Sequence, residues 1–480
     1  MKRTVAILGG GVIGGGWAAR FALMGWDVRV FDPGAGAEAA VRAMLERARA
    51  ALPALYDVAL PDEGRLTFHD TISAAVAGAE WIQESAPERL ALKRKLYQQV
   101  QAVCDPAAII GSSTSGFTPS ELQGCATRPE QIIVAHPFNP VYLLPLVELV
   151  GSQKTDPALL DRATDLMTGI GMNPLKIRKE MPAHVADRFL EAVWREALWL
   201  VRDGVATTQE IDDAIRMGFG LRWGQMGLFE TYRLAGGPAG MKHFIAQFGP
   251  ALDWPWTKLM DVPELTEDLI DKIAAQSDAQ SGHMSIAELE SLRDGNLTAM
   301  MRSLKARGVA VGKILKDHEK TIEPEVPDLM APMVTLDRQV PVDWVDGNGH
   351  MNESRYVQAM SEASDRFLAW IGCTPDYIAT RGSWFTVENH VRYLAEVMIG
   401  DRLTATTQVL EAKGKKLKLF YRIECNGTLA ATVEQLLIHV SMATRRAEAP
   451  PEDMAALTQA IAEAHACHGV PDAAGATGRT

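Results

Sequence analysis

The apolar run Val5-Ala6-Ile7-Leu8 breaks into Gly9-Gly10-Gly11-Val12-Ile13-Gly14, and a second run, Asp27-Val28-Arg29-Val30-Phe31, ends at Asp32. This pattern reads as strand, tight turn, helix, strand, acid. Glycines are costly unless the backbone must turn sharply or let something approach closely. In the spacing Gly9-x-Gly11-x-x-Gly14, the first permits the turn and the second leaves room for a pyrophosphate. The third lets the helix lie against the strand. Unpaired N–H groups and the helix dipole favour phosphate charge at the helix start. Asp32 is placed to accept hydrogen bonds from ribose hydroxyls and to repel a 2′-phosphate. The implied ligand is a dinucleotide, and NAD rather than NADP.

A chain of 480 residues is too long for one core. Short apolar strands alternate with helices at first, with Trp81–Glu84, Ala108–Gly111 and Ile132–Ala135 as buried strands of a doubly wound parallel sheet. From Phe189 the period becomes helical. Phe189, Leu190, Val193, Trp194, Ala197, Leu198 and Val201 form a wide apolar face, and Asp203-Gly204 ends it. Glu323-Pro-Glu-Val-Pro-Asp328 reads as a linker. Beyond it come a helix, Ser354 to Trp370, and alternating strands joined by the hairpin signal Asn426-Gly427. The expected class is multidomain α/β. A Rossmann domain spans 1–186, an all-helical domain 187–320, a linker 321–333 and an α+β domain 334–445. A tail, 446–480, holds a short Ala-rich helix and then disorder.

The net charge of −12 argues against nucleic acid or an anionic membrane as partner. No apolar run reaches membrane-spanning length, and the first strand begins at once, which leaves no room for a signal peptide. The five cysteines, Cys104, Cys125, Cys373, Cys425 and Cys467, lack metal-ligand spacing and read as reduced thiols of a cytoplasmic protein without a metal site.

Three further segments carry a family resemblance: Ser112-Ser113-Thr114-Ser115, His136-Pro137-Phe138-Asn139-Pro140 and Leu146-Val147-Glu148-Leu149-Val150. With them, residues 1–320 resemble the 3-hydroxyacyl-CoA dehydrogenase superfamily. The resemblance implies that His136 is the general base, that Glu148 orients its imidazole, and that Ser115 hydrogen-bonds the reacting oxygen. It also implies that Glu88 and Lys93 contact NAD. A carboxylate among apolar neighbours, as Glu148 is, needs a partner. One position departs from the family: Asp187 stands before Arg188 where the superfamily usually has Asn. Either the substrate carries a compensating positive charge, or Asp187 pairs with a cation and turns away. The segment Asp212–Trp223 resembles the branch acting on free hydroxy acids and, within it, L-carnitine 3-dehydrogenases. Carnitine is therefore the implied substrate, with Arg222 as a carboxylate clamp. Some of Trp194, Trp199, Trp223, Phe229 and Tyr232 would then form a cation-binding wall.

The segment Val342–Tyr356 resembles the opening motif of hot-dog-fold acyl thioesterases, a likeness covering residues 334–445. It implies that Asp346 is nucleophile or general base, with Asn348 and His350 beside it and an acyl-CoA thioester as substrate; the fusion to a carnitine-type dehydrogenase, rather than the motif, points to betainyl-CoA. Glu388 matches a further site acid of related enzymes. Lys415, Lys416, Lys418, Arg445 and Arg446 read as solvated strand-edge charges, with contact to the CoA phosphates as the alternative. Two alternatives stay open. One is a 3-hydroxyacyl-CoA or gulonate-type dehydrogenase fused to a general thioesterase. The other gives the last domain only a binding or assembly role. Both families imply a homodimer or larger homo-oligomer.

Overall fold

The computed structural model describes residues 2–478 apart from 236, 237, 239, 249, 251–255, 259, 260, 262 and 263. The chain divides into two compact units, Met1–Ala51 with Pro61–His318, and Leu52–Leu60 with Glu319–Thr480. No helix among the described residues is long and apolar enough to cross a membrane.

The first unit is built on β1 (Thr4–Leu8), β2 (Asp27–Phe31), β3 (Leu66–Phe68), β4 (Trp81–Glu84), β5 (Ile109–Ser112), β6 (Ile132–Pro137), β7 (Leu146–Val150) and β8 (Asn173–Ile177). They form one sheet in the order β3-β2-β1-β4-β5-β6-β7-β8. Ala6, Leu8, Ile82, Ile110 and Val134 share a core under it. The first six strands pair in parallel, but β7 runs antiparallel to β6. Residues 138–145 carry no crossover helix, so the chain can only return antiparallel beside β6. That return sets His136 directly opposite Glu148.

Past β8 the regular structure of the unit is helical, beginning with Ala186–Arg202. Its apolar face is unexpectedly open: Phe189 and Leu190 are each 55% exposed and Trp194 is 61% exposed. The helix ends where the sequence pattern expects, with Gly204 at φ +69°.

The second unit contains β9 (Met333–Gln339), β10 (Ser383–Tyr393), β11 (Arg402–Lys413), β12 (Lys416–Cys425) and β13 (Thr428–Val440). They form an antiparallel sheet in the order β10-β13-β12-β11-β9. Asn426 and Gly427 both take positive φ, +48° and +82°, as a two-residue hairpin turn requires. The helix Glu353–Trp370 buries Tyr356, Ala359, Met360, Ala363 and Phe367 at helical spacing. These side chains share one core with Leu417, Leu419, Tyr421 and Ile423 of β12. Leu52–Leu60 supplies Asp57, which pairs at 2.7 Å with the fully buried Arg338 of β9, while Glu362 takes the same guanidinium at 2.8 Å.

The expected disorder of the tail is corrected. After the helix Glu452–His465, buried Glu434 of β13 accepts from the Ala476 N–H (2.8 Å), the Thr477 N–H (3.3 Å) and the Thr477 hydroxyl (2.7 Å). Lys418 lies 3.4 Å from the same carboxylate. A buried carboxylate demands partners, and composition alone does not reveal that Glu434 finds them in the tail.

Candidate active sites

The glycine turn has the shape a dinucleotide needs. A Cβ on Gly9, at φ +101°, would lie 2.6 Å from the Ser85 carbonyl oxygen, and one on Gly14 1.8 Å from that of Gly9. A Cβ on Gly11 would point into open space, so the helix start is open where phosphate approaches. Asp32 accepts from the N–H groups of Gly10 at 2.5 Å and Gly34 at 2.6 Å. Each of its oxygens keeps a lone pair for a ribose hydroxyl. These residues fit NAD.

Lys93 is not free to reach a cofactor. It is buried, donates to Glu84 at 2.7 Å and to the Ala86 carbonyl at 3.1 Å, and lies 3.2 Å from Glu88. Three partners use its three N–H groups, so the expected direct contact gives way to a supporting position behind Glu88. The buried Glu84 was not singled out from sequence, although a carboxylate closing an apolar strand was a usable signal. It also accepts from the Tyr97 hydroxyl at 2.5 Å and from Ser112 at 2.6 Å. Half-exposed Glu88 accepts from the Thr114 hydroxyl and from the Gly116 N–H at 3.3 Å. Burial pushes its carboxyl upward, but Thr114, Lys93 and Gly116 together hold it below the ordinary value.

At the end of β6, His136 Nδ1 lies 2.9 Å from Glu148 Oε2. The other oxygen of Glu148 accepts from the N–H groups of Val185 and Ala186, both at 3.0 Å. These are the first N–H groups of the helix Ala186–Arg202, which has no side-chain cap of its own. Glu148 thus caps a helix and grips an imidazole at once. Burial drives its carboxyl upward, yet the hydrogen bonds from His136, Ala186 and Val185 prevail and hold it below the ordinary carboxylate value. A charged Glu148 calls for the Nδ1–H tautomer of His136, leaving the Nε2 lone pair free to take a proton.

Asp187 Oδ2 lies 3.5 Å from that Nε2. It has therefore not turned away from the site. Burial and the charge of Glu148 raise its carboxyl above the ordinary value, against the pull of His136. Beside it, His184 was not singled out by the sequence reading. Its ring sits 5.4 Å from that of His136, and its Nε2 is 3.1 Å from the Thr114 carbonyl. Ala183 and His184 both take left-handed φ, +59° and +47°. Such non-glycine residues are held only where the surroundings enforce them, commonly at functional sites.

The other expected residues are not gathered with His136 by any hydrogen bond or ion pair among the described residues. Ser115 is exposed on the loop after β5, and Arg222 is exposed on the helix Gly220–Ala235. The aromatic side chains do not form one wall. Trp199 stacks under Arg202 at 3.8 Å, Trp223 pairs with Phe219, and Tyr232 stacks on Phe244. Trp194 and Phe229 are 61% and 71% exposed.

In the second unit, Asp346 and His350 line a cleft of about 370 Å³ at the start of the helix Glu353–Trp370. Asp346 Oδ1 accepts from the Asn348 N–H at 2.8 Å, and its N–H donates to the His350 carbonyl at 3.0 Å. This tight turn leaves the Asn348 side chain exposed and outside the cleft lining. Asn352, not Asp346, caps the helix, accepting from the Ser354 N–H at 3.0 Å. Glu388 is likewise away from the cleft, on β10, and accepts from the Gly478 N–H at 2.8 Å. Lys418 donates to the Thr477 carbonyl at 3.0 Å.

Known proteins join the same two kinds of domain in one chain. Residues 4–181 match the 3-hydroxyacyl-CoA dehydrogenase NAD binding domain, 184–273 its C-terminal domain, and 340–457 the thioesterase-like superfamily. An L-carnitine dehydrogenase/betainyl-CoA thioesterase of Ruegeria pomeroyi is 59% identical over 98% of both chains. An L-carnitine dehydrogenase of Pseudomonas putida is 53% identical, matching 66% of this chain and 98% of its own length. Among solved structures, an NAD+ dependent 5-formyl-3-hydroxy-2-methylpyridine 4-carboxylic acid 5-dehydrogenase is similar at TM-score 0.54 and 28% identity, over 64% of this chain and 99% of that one. The chain belongs to the family of two-part proteins in which a 3-hydroxyacyl-CoA dehydrogenase is followed by a thioesterase-like domain.

Proposed function

We propose that the chain is a bifunctional enzyme that oxidises L-carnitine to 3-dehydrocarnitine with NAD and hydrolyses betainyl-CoA. The observation that carries the first activity is the facing pair His136 and Glu148, with Asp187 at the free nitrogen of the imidazole. Gly9, Gly11, Gly14, Asp32 and Glu88 would hold NAD, which would supply the hydride acceptor. His136 Nε2 takes the hydroxyl proton, and Glu148 stabilises the resulting imidazolium through Nδ1–H. Ser115 hydrogen-bonds the reacting oxygen. Asp187 sets a negative charge where the trimethylammonium of carnitine compensates it, and Arg222 takes the substrate carboxylate.

In the second activity, Asp346 acts as nucleophile or general base at the thioester carbonyl, with His350 beside it. The carbon–sulfur bond breaks, water supplies oxygen to the acid and a proton to the thiol, and CoA leaves. The working parts are 1–186, 187–320 and 334–445, joined by 321–333 and followed by the tail 446–480. The open apolar face of Ala186–Arg202 suits a second copy of the chain, giving a homodimer or larger assembly. Five free thiols suit the cytoplasm.

The test is one panel on the full chain. NAD and NADP reduction are followed with L-carnitine, D-carnitine, L-gulonate and 3-hydroxybutyryl-CoA, and thiol release with betainyl-CoA and acetyl-CoA. Reduction of NAD with L-carnitine and release from betainyl-CoA are expected. A stronger response to gulonate or to the hydroxyacyl-CoA overturns the first assignment, and no thiol release from either ester overturns the second.

A further inference from the structure

The cleft beside Asp346 and His350 is lined by apolar Met351, Leu394 and Ala395, by two tyrosines and by carboxylates. Tyr356 and Tyr393 meet edge to face, with ring centroids 5.2 Å apart at 80°. Both hydroxyls are spent on backbone: Tyr356 donates to the Ala395 carbonyl at 3.1 Å and Tyr393 to the Glu353 carbonyl at 3.3 Å. With the hydroxyls committed, each side chain has its ring left to meet an occupant. Tyr356 is buried, a fixed wall; Tyr393 is 50% exposed, at the mouth.

Charge points the same way. Asp346, Glu353 and Glu396 line the cleft, and neither lysine nor arginine does. His350 Nε2 is 3.7 Å from Glu396 Oε1. A plain hydrocarbon acyl group gains nothing from three carboxylates, and an acidic one is repelled. A quaternary ammonium fits both features. It has no N–H to donate, so it needs no acceptor in line, and it is held by aromatic faces and by surrounding negative charge.

We infer that Tyr356, Tyr393, Glu353 and Glu396 form a recognition site for a quaternary ammonium on the acyl group, and that this site selects cationic thioesters. The inference rests on the hydrolase reading of the same cleft. The cationic end lies against the two rings while the thioester carbonyl reaches Asp346. The anionic phosphates of CoA stay outside this lining.

The test compares betainyl-CoA with 3,3-dimethylbutyryl-CoA, which replaces the charged nitrogen by carbon and keeps the shape. In the full-length parent, kcat/KM is expected to favour betainyl-CoA by about tenfold or more, the scale of a desolvated cation–π contact. Tyr393→Leu should bring that ratio toward one, Tyr393→Phe should keep it, and Glu396→Gln should lower it. Glu396 is an exposed side chain, so this last variant remains informative if Tyr393→Leu fails to fold. A parent that cleaves both esters equally overturns the inference and leaves the hydrolase reading standing. So does a pair of variants, Tyr393→Leu and Glu396→Gln, that lower both rates by the same factor. A parent that cleaves neither ester overturns the hydrolase reading and the inference with it.

Discussion

Asp187 and Glu148 stand on opposite sides of one imidazole: Glu148 Oε2 is 2.9 Å from His136 Nδ1 and Asp187 Oδ2 is 3.5 Å from Nε2. Two carboxyls around one histidine are expensive to bury unless positive charge joins them. The backbone N–H groups of Val185 and Ala186 offset one of them. A cationic substrate would offset the other.

His136→Ala is expected to lower carnitine-dependent NAD reduction by ~10²–10⁴-fold, the usual worth of a general base. NADH binding, followed by fluorescence, should persist, because the imidazole does not hold the cofactor phosphates. Thioester hydrolysis should continue, since its groups lie in the second unit. Activity within about tenfold of the parent would remove His136 from its assigned role.

Asp187→Asn restores the amide common in the superfamily and removes a charge. It should reduce the preference for L-carnitine over 3-hydroxy-5,5-dimethylhexanoate, the shape analogue with neutral carbon in place of the ammonium nitrogen, by about tenfold. The measurement is the ratio of kcat/KM values for the two substrates. An unchanged ratio would mean that Asp187 does not sense the ammonium group.

Asp346→Asn keeps an oxygen to accept from the Asn348 N–H, so the turn should survive. The carboxylate is gone, and betainyl-CoA hydrolysis should fall by at least ~10²-fold. Carnitine oxidation serves as the internal control for folding. Full hydrolytic activity would move the chemistry elsewhere in the cleft.

His318 is buried, and burial with the Arg20 charge holds its imidazole down to about 4, against 6.5 in the unfolded chain. The unfolded state therefore binds a proton that the folded state refuses. The associated stability is fully present above pH 6.5 and is lost as pH falls toward 4, on the order of 3 kcal/mol in all. Thermal unfolding between pH 7.5 and 4.5 should show a smaller pH slope in His318→Gln than in the parent. Equal slopes would assign the acid sensitivity to other groups.

The glycine turn, the strand ending at Asp32 and the Asn426-Gly427 hairpin were legible in the sequence because each is a local solution to a local problem. A turn needs positive φ, a strand needs alternation, and both are written in adjacent residues. His136 and Glu148 were legible as a motif, but their facing geometry comes from the antiparallel return of β7, a matter of loop length and pairing register. What only the tertiary structure decided concerns side chains far apart in the chain that compete for the same partner. Lys93 is drawn inward by Glu84, a residue whose importance shows only once four groups converge on it. Glu434 recruits Thr477, so a tail with the composition of disorder is ordered by a buried carboxylate. Tyr356 and Tyr393 come together through helix-on-sheet packing that no periodicity reports. Local backbone preference can be read along a sequence, whereas satisfying buried charge is a property of the packed chain.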